Sequence, residues 1–293
     1  MGRVVLLCAK LVLIVHLAYI AATSSLIFLY KFINPPAIVL MPYRSIGYGW
    51  KLTKPQPLPL GRIPSYLRTM LVAVEDGKFY THRGIDLEAF KRAREINARL
   101  GRPLYGGSTL TMQVARTLFL VPEKSYLRKY FEVIAALELE LILSKERILE
   151  LYFGYAEWGK GIFGIEAASR HYFTTSVANL TKDQGARLIA LLSSPIKYTP
   201  STLYKSAILR ERYSYLVRRF VAPPVPASIP AAETMVKEIF PGSLEPGAEE
   251  TGEAIEAGTS EPDAIASDPV AADAAPPNAP SGETTGSALS ASP

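Results

Sequence analysis

The most apolar part of the chain lies at its N-terminus. Residues 11–30, LVLIVHLAYIAATSSLIFLY, contain no Asp, Glu, Lys or Arg. Twenty such residues are the length that a helix needs to cross the hydrocarbon core of a bilayer. Arg3 and Lys10 precede the run, a weak bias that favours a cytoplasmic N-terminus. The pattern predicts an uncleaved anchor over residues 1–33. A cleaved signal peptide is the alternative, although its apolar region is normally shorter.

Pro and Gly interrupt the chain after this run, and helical periodicity follows them. Residues 34–62 are rich in both, which predicts an extended connector with at most one short strand. Over residues 63–222 apolar residues recur at helical spacing, and no strand-length alternation stands out. We therefore predict a mainly α domain over 63–222, preceded by one N-terminal transmembrane helix.

Several predicted helices carry recognisable end signals. The segment GRP at 101–103 is a helix stop, and Ser144 is a suitable N-cap for the helix that follows it. Thr181 and Gln184 fit a capping box. A last basic helix over 204–220 is expected to expose its charged face to solvent, with contact to lipid head groups as the alternative.

Charge is distributed unevenly along the chain. Residues 243–293 hold ten acidic residues and no Lys or Arg, which leaves 32 basic against 17 acidic residues in the rest. A body this basic expects an anionic partner such as nucleic acid, anionic lipid or a phosphate-bearing substrate. Residues 223–293 are rich in Pro, Ala and Glu, and we predict a largely disordered acidic tail with one short helix near 234–240. The only cysteine, Cys8, excludes a disulfide framework and a cysteine-based metal site.

The first stretch with candidate chemistry is VEDGKFYTHRG, residues 74–84. It places Glu75 and Asp76 at the end of an apolar helix, before an aromatic pair and one of three histidines. A carboxylate held near a nucleophile can act as a general base. The alternative is an ordinary polar helix end that is only solvated.

The second stretch is GGSTLTMQVARTLFL, residues 106–120. Ser108 or Thr109 is expected to cap a helix whose free N–H groups suit a phosphate. Thr109, Gln113 and Arg116 recur at spacings of four and three, so they share one helix face and could form an anion-binding strip. Most segments of this composition are simply helix caps, and the motif does not match the Walker pattern.

Two further stretches follow. In RKYFE, residues 128–132, Arg128 and Glu132 are spaced as a surface ion pair would be, but a strongly apolar run follows Glu132. In GKGIFGIEAASRHYF, residues 159–173, three glycines permit close backbone approach before a packed helix. His171 and the other two histidines lie far apart in sequence, which gives no support for a zinc site.

Taken together, five stretches resemble the peptidoglycan glycosyltransferase family, whose lysozyme-like domain polymerises lipid II. EDGKFYTHRG, GGSTLTMQ, RKYFE, RILELYF and GIFGIEAASRHYF match the five family motifs in order, within about residues 63–200. YAEWGKGIFGIEAA resembles the monofunctional branch. The resemblance implies a lysozyme-like glycosyltransferase domain. A transpeptidase domain is not expected, because no Ser-x-x-Lys with a later Lys-Thr-Gly follows residue 200.

The resemblance also implies roles for individual residues. Glu75 matches the catalytic base, which takes the proton from the 4-hydroxyl of the acceptor lipid II. Glu132 matches the second essential glutamate, beside the leaving pyrophosphate, where the family uses Mg²⁺ or basic side chains and no organic cofactor. The reaction implied transfers the lipid-linked growing chain and inverts it to a β-1,4 link. The other matched positions, which bind substrate or shape the site, are Asp76, Lys78, Phe79, His82, Gly107, Ser108, Thr109, Gln113, Arg116, Arg128 and Lys129.

The implied setting is the bacterial inner membrane, with a cytoplasmic N-terminus and a periplasmic catalytic domain. The implied partners are lipid II, the growing lipid-linked glycan, the cytoplasmic membrane and other cell-wall synthesis or division proteins, but not nucleic acid.

Three positions depart from the family pattern. Met112 replaces the first Gln of the usual pair, Arg116 replaces a Lys, and Gly154 replaces an Asn, which puts the local helix end in doubt. Two alternatives remain beside an active polymerase, one suggested by these departures and one by the lysozyme-like shape. One is a catalytically weakened, membrane-anchored scaffold, and the other is a glycan-cleaving enzyme that uses a glutamate as general acid.

Overall fold

The computed structural model describes residues 2–101, 106–123 and 125–222, and it confirms a mainly α fold. The predicted acidic tail lies outside the described residues. The helices are α1 (Gly2–Tyr30), α2 (Leu40–Tyr48), α3 (Ser65–Glu75), α4 (Leu87–Leu100), α5 (Leu110–Phe119), α6 (Tyr126–Ile142), α7 (Lys145–Tyr155), α8 (Ile165–Phe173), α9 (Lys182–Leu191) and α10 (Ala207–Leu216). One antiparallel hairpin pairs β1 (Glu157–Gly159) with β2 (Ile162–Phe163).

Helix α1 is long and apolar enough to cross a membrane, a property that membrane anchors and signal sequences share. It begins at residue 2, well before the apolar run that predicted it, and continues unbroken for 29 residues. Residues 2–15 are exposed, whereas from His16 onward one side of the helix packs against α6 and α5.

The prediction of an extended connector was wrong for residues 40–48, which form α2. Pro42 lies in the first turn of this helix, where its missing N–H removes no intrahelical hydrogen bond. Gly49, with φ of 64°, ends the helix in the left-handed conformation. Helix α2 packs on α5, and the N–H of Val39 donates to the carbonyl of Leu118 at 3.1 Å, so the connector is built into the domain.

The predicted helix ends are confirmed. Ser144 accepts from the N–H of Arg147 at 3.3 Å, and Gly101 ends α4 with φ of 65°. Thr181 and Gln184 form the capping box that their spacing predicts. Because these helices begin and end where local chemistry dictates, the apolar faces of α3, α5, α7 and α9 meet in one continuous core.

Two glycines near the hairpin lie close to neighbouring parts of the chain. Gly164 has φ of 84°, and a Cβ there would lie 2.5 Å from the carbonyl oxygen of Gly154. Gly154 itself is helical within α7, and a Cβ on it would lie 3.0 Å from the Cβ of Pro57. The departure from Asn at this position therefore leaves the helix intact, and it makes room for the connector.

We expect Gly164→Ala to lower the free energy of unfolding by about 1–2 kcal/mol or more, because it combines left-handed strain with a backbone clash. Thermal or urea denaturation measures this. Gly61→Ala is the matched control, since a Cβ there meets nothing within 4 Å. Equal midpoints for the two variants would contradict the assignment.

Candidate functional site

Glu75 is the last residue of α3, and it is buried rather than solvated. Its Oε2 accepts from the Nε2 of Gln113 at 3.0 Å, and its Oε1 accepts from the Nη2 of Arg212. The hydroxyl of Tyr152 donates to the Oε1 of Gln113 at 3.0 Å. Burial, and next the charge of Glu75, raise the pKa of Tyr152 well above its usual range, so Tyr152 stays a donor. The alternative of a solvated helix end is therefore wrong.

Arg212 is the residue that the sequence analysis missed. It lies on α10, whose charged face was expected in solvent, yet its side chain is fully buried. Two of its nitrogens, Nε and Nη1, have no hydrogen-bond partner in the described part of the chain. One sequence signal could have found it, because Leu209, Arg212 and Leu216 recur at the spacing of a buried helix stripe.

Asp76 braces the loop that follows α3. Its Oδ2 lies 2.8 Å from the Nε2 of His82 and accepts from the N–H of Leu110 at 2.9 Å. The Nδ1 of His82 accepts from the N–H of Gly84, which leaves Nε2 to donate to Asp76. These contacts tie the loop to the first turn of α5.

The other matched positions of this loop also lie away from the cleft described below. Phe79 is fully buried in the core. Lys78 is exposed, and its amine forms an ion pair with Glu88. The structure therefore gives both residues packing or surface contacts.

The start of α5 changes the predicted anion-binding strip. Thr109 is the N-cap, as expected, but its buried hydroxyl donates to the carbonyl of Gly84 at 2.6 Å and accepts from the N–H of Met112. The hydroxyl thus has partners within the protein, and a contact of Thr109 with substrate stays a prediction. Gly107 allows α4 to approach, since a Cβ there would lie 2.5 Å from the Cα of Phe90.

A cleft of about 640 Å³ opens between α2, α5 and α6, and Gln113, the hydrogen-bond partner of Glu75, lies in its wall. It brings together six of the residues predicted from sequence, while Tyr152 and the α2 residues Tyr43 and Arg44 add walls that were not predicted. The six are Ser108, Gln113, Arg116, Arg128, Lys129 and Glu132.

Glu132 anchors a basic cluster on the α6 side of this cleft. It is fully buried, and its two carboxylate oxygens accept separately from Arg128 and from the Nζ of Lys129, the latter at 2.8 Å. Lys129 also donates to the hydroxyl of Ser108 at 2.7 Å. A simple surface pair between Arg128 and Glu132 is therefore excluded.

The electrostatics of this cluster favour an anion. Burial lowers the pKa of Lys129, and the charge of Glu132 only partly opposes this. Four cations (Arg44, Arg116, Arg128 and Lys129) and three carboxylates (Glu123, Glu132 and Glu157) line the cleft, so its net charge is positive, which suits a diphosphate. Among the described residues no three carboxylate, imidazole or thiol groups converge.

Comparison with known proteins identifies the family. The Transglycosylase family model matches residues 45–221, which is more than half of the chain. The chain belongs to this family. It is 42% identical over 176 residues to the biosynthetic peptidoglycan transglycosylase of Dechloromonas aromatica, covering 59% of this chain and 76% of that protein.

Two further relatives carry the same name. The chain is 41% identical over 204 residues to the Caulobacter vibrioides protein, covering 68% of this chain and 86% of the relative. It is 38% identical over 232 residues to the Bordetella pertussis protein, covering 74% and 92% respectively. The family match contains all the residues of the Glu75 and Glu132 clusters, and it extends through α10, which supplies Arg212.

We expect Arg212→Ala to destabilise the protein by about 3–5 kcal/mol, because it leaves Glu75 buried without its cation. Denaturation of the purified protein measures the change. Arg210→Ala, an exposed arginine on the same helix, is the matched control and should have little effect. The double variant Arg212→Met with Glu75→Gln should recover much of the loss. Equal stability of Arg212→Ala and Arg210→Ala would refute the importance of the pair.

Proposed function

We propose that this protein is a peptidoglycan glycan-strand polymerase with glycosyltransferase activity alone. It transfers a lipid-pyrophosphate-linked growing chain to the 4-hydroxyl of lipid II and inverts the anomeric centre to a β-1,4 link. One observation carries the proposal: a buried carboxylate, Glu75, is one hydrogen bond away from Gln113 in the wall of a cleft that also holds Arg116, Arg128 and Lys129. Base and leaving-group site are thus adjacent.

In this proposal Glu75 is the general base. It takes the proton of the acceptor 4-hydroxyl while that oxygen forms the new bond to the anomeric carbon. Arg212 and Gln113 each hold one carboxylate oxygen, which fixes the direction of the base before substrate arrives. Tyr152 in turn donates a hydrogen bond to Gln113 and fixes the orientation of its amide.

The bond to the diphosphate breaks as the glycosidic bond forms, and negative charge develops on the leaving group. Arg116, Arg128 and Lys129 would stabilise this charge. In the described part of the chain Arg116 has no ion-pair partner, so its guanidinium is available to an anion. Glu132 offers one carboxylate to a divalent cation such as Mg²⁺, which proteins commonly hold through one or two carboxylates plus substrate phosphates. A cation bound there would add positive charge at the diphosphate.

We further propose that α1 is retained as a single-pass anchor in the cytoplasmic membrane, with the catalytic domain in the periplasm. Its length, its apolar composition and the basic residues Arg3 and Lys10 near its start support this orientation. The lipid-linked donor and acceptor would then meet the cleft at the membrane surface.

The decisive experiment supplies lipid II and Mg²⁺ to the purified full-length protein and follows glycan strands. We expect Glu75→Gln to reduce polymerisation by about 10²-fold or more, since it removes the base. Glu88→Gln, an exposed glutamate of α4, is the matched control.

Undiminished polymerisation by Glu75→Gln would sink the base assignment. Release of sugars from mature glycan without polymerisation would instead identify a cleaving enzyme. Binding of a cell-wall protein without any turnover would identify a scaffold.

A second prediction concerns pH. Because burial lowers the pKa of Lys129, its amine loses its charge at a lower pH than an exposed lysine does. Polymerisation should therefore decline as the pH rises through the lowered pKa of Lys129. Lys129→Arg should move this decline to higher pH. The pH profile of kcat/KM measures this, with the exposed Lys182→Arg as control. Superimposable alkaline limbs for wild type and Lys129→Arg would contradict it.

A further inference from the structure

One side of α1 packs lengthwise on α6, the helix that carries Glu132. The contact side holds His16, Tyr19, Thr23, Ile27 and Tyr30, at the steps of three and four that define one helix face. The ring of His16 lies 5.4 Å from that of Tyr130, and the hydroxyl of Tyr19 donates to the carbonyl of Phe131 at 3.1 Å. The apolar helix is therefore in specific contact with the domain.

A polar clamp lies in the middle of this contact. The Oε2 of Glu138 accepts from the hydroxyl of Thr23 at 2.6 Å, and its Oε1 accepts from the hydroxyl of Ser24 at 2.7 Å. Glu138 is only 8% exposed and Thr23 only 4%. Among the residues that the structure describes, no basic side chain pairs with Glu138, so the anchor helix supplies the donors of this buried carboxylate.

The dependence between the partners is one-sided. A buried carboxylate without donors is costly, because its charge has lost water and gained nothing. The hydroxyl of Thr23 also lies 2.8 Å from the carbonyl of Tyr19, one turn earlier in α1. It would therefore keep an acceptor if Glu138 were absent. Loss of α1 would therefore leave Glu138 without donors, whereas loss of Glu138 would still leave Thr23 with an acceptor.

The position of the clamp along α1 determines its depth in the membrane. The free part of α1, residues 2–15, extends about 21 Å at 1.5 Å per residue, which is short of the roughly 30 Å of hydrocarbon that a span must cross. In the apolar run 11–30, which follows the charged residues Arg3 and Lys10, Thr23 and Ser24 lie in the second half of the span. The carboxylate would thus lie within the depth of the hydrocarbon, where an unpaired charge is costly.

We propose that Glu138 is a docking site for the anchor helix. Through Thr23 and Ser24 it makes α1 a structural part of the domain and fixes the position of α6 against the membrane. Glu132 lies six residues before Glu138, about 9 Å along the same helix, so the diphosphate site is held at a defined place. Glu138 is a positioning residue in this view. The proposal rests on the proposed retention of α1 as an anchor.

Crosslinking tests the docking independently of activity. In a Cys8→Ser background, His16→Cys and Tyr130→Cys are joined with a short thiol-reactive crosslinker in vesicles, and the linked peptides are quantified by mass spectrometry. Thr23→Val with Ser24→Ala should lower the yield about fivefold or more, because it leaves the buried carboxylate of Glu138 without hydrogen-bond donors. Ser25→Ala is the matched control, since that exposed hydroxyl bonds only to the carbonyl of Ala21.

The compensating variant is decisive. Adding Glu138→Leu to Thr23→Val and Ser24→Ala replaces both sides of the clamp with apolar groups, which should restore crosslinking. The paired variant, with only Thr23→Val and Ser24→Ala, should also raise the KM for lipid II in vesicles and leave kcat nearly unchanged. In detergent micelles it should change neither constant.

Unchanged crosslinking in the paired variant, no rescue by Glu138→Leu, or a mature N-terminus beyond Ser24 would each overturn the proposal. An inactive wild type with intact crosslinking would refute the proposed function while supporting the docking.

Discussion

The site depends on one buried ion pair, between Glu75 at the end of α3 and Arg212 on α10. Removing two charges from water costs several kcal/mol for each ion, and only close contact between them recovers that cost. Neither side chain can be buried alone, so the pair fixes α10 against α3 and makes α10 part of the candidate site. Gln113 then satisfies the remaining carboxylate oxygen and links the pair to the cleft.

A second charged cluster, around Glu132, has more cations than carboxylates, unlike the matched pair at Glu75. At Glu75 one carboxylate meets one cation, Arg212, so the proposed base is oriented by a matched partner. At Glu132 one carboxylate organises Arg128 and Lys129, and Arg116 nearby adds a third cation. The first arrangement suits proton abstraction, and the second suits a departing anion. Helix α5 joins the two clusters, because it carries Gln113 and Arg116 and packs closely on α6.

Local patterns predicted most of the fold. Helical periodicity, the Ser144 cap and the capping box at Thr181 depend on neighbours within one turn, and these predictions were confirmed. The features that were missed depend on contacts far apart in sequence. Arg212 looked like one more basic residue on an exposed helix until its partner, 137 positions earlier, was placed beside it. Helix α2 was hidden by Pro42, which its first turn tolerates, and the packing of α1 on α6 leaves no local pattern.

The departures from the family pattern are informative once they are placed in the fold. Met112 is buried in the core, so it alters packing and not the cleft. Gly154 permits the close approach of Pro57, because a Cβ there would lie 3.0 Å from the Cβ of Pro57. Only Arg116 faces the cleft, where it keeps the positive charge and gains a planar fork that suits phosphate oxygens. A scaffold that had lost its activity would be free to lose the buried charges, which are costly to maintain. The intact partners of Glu75 and Glu132 therefore favour a working enzyme over a degenerate one.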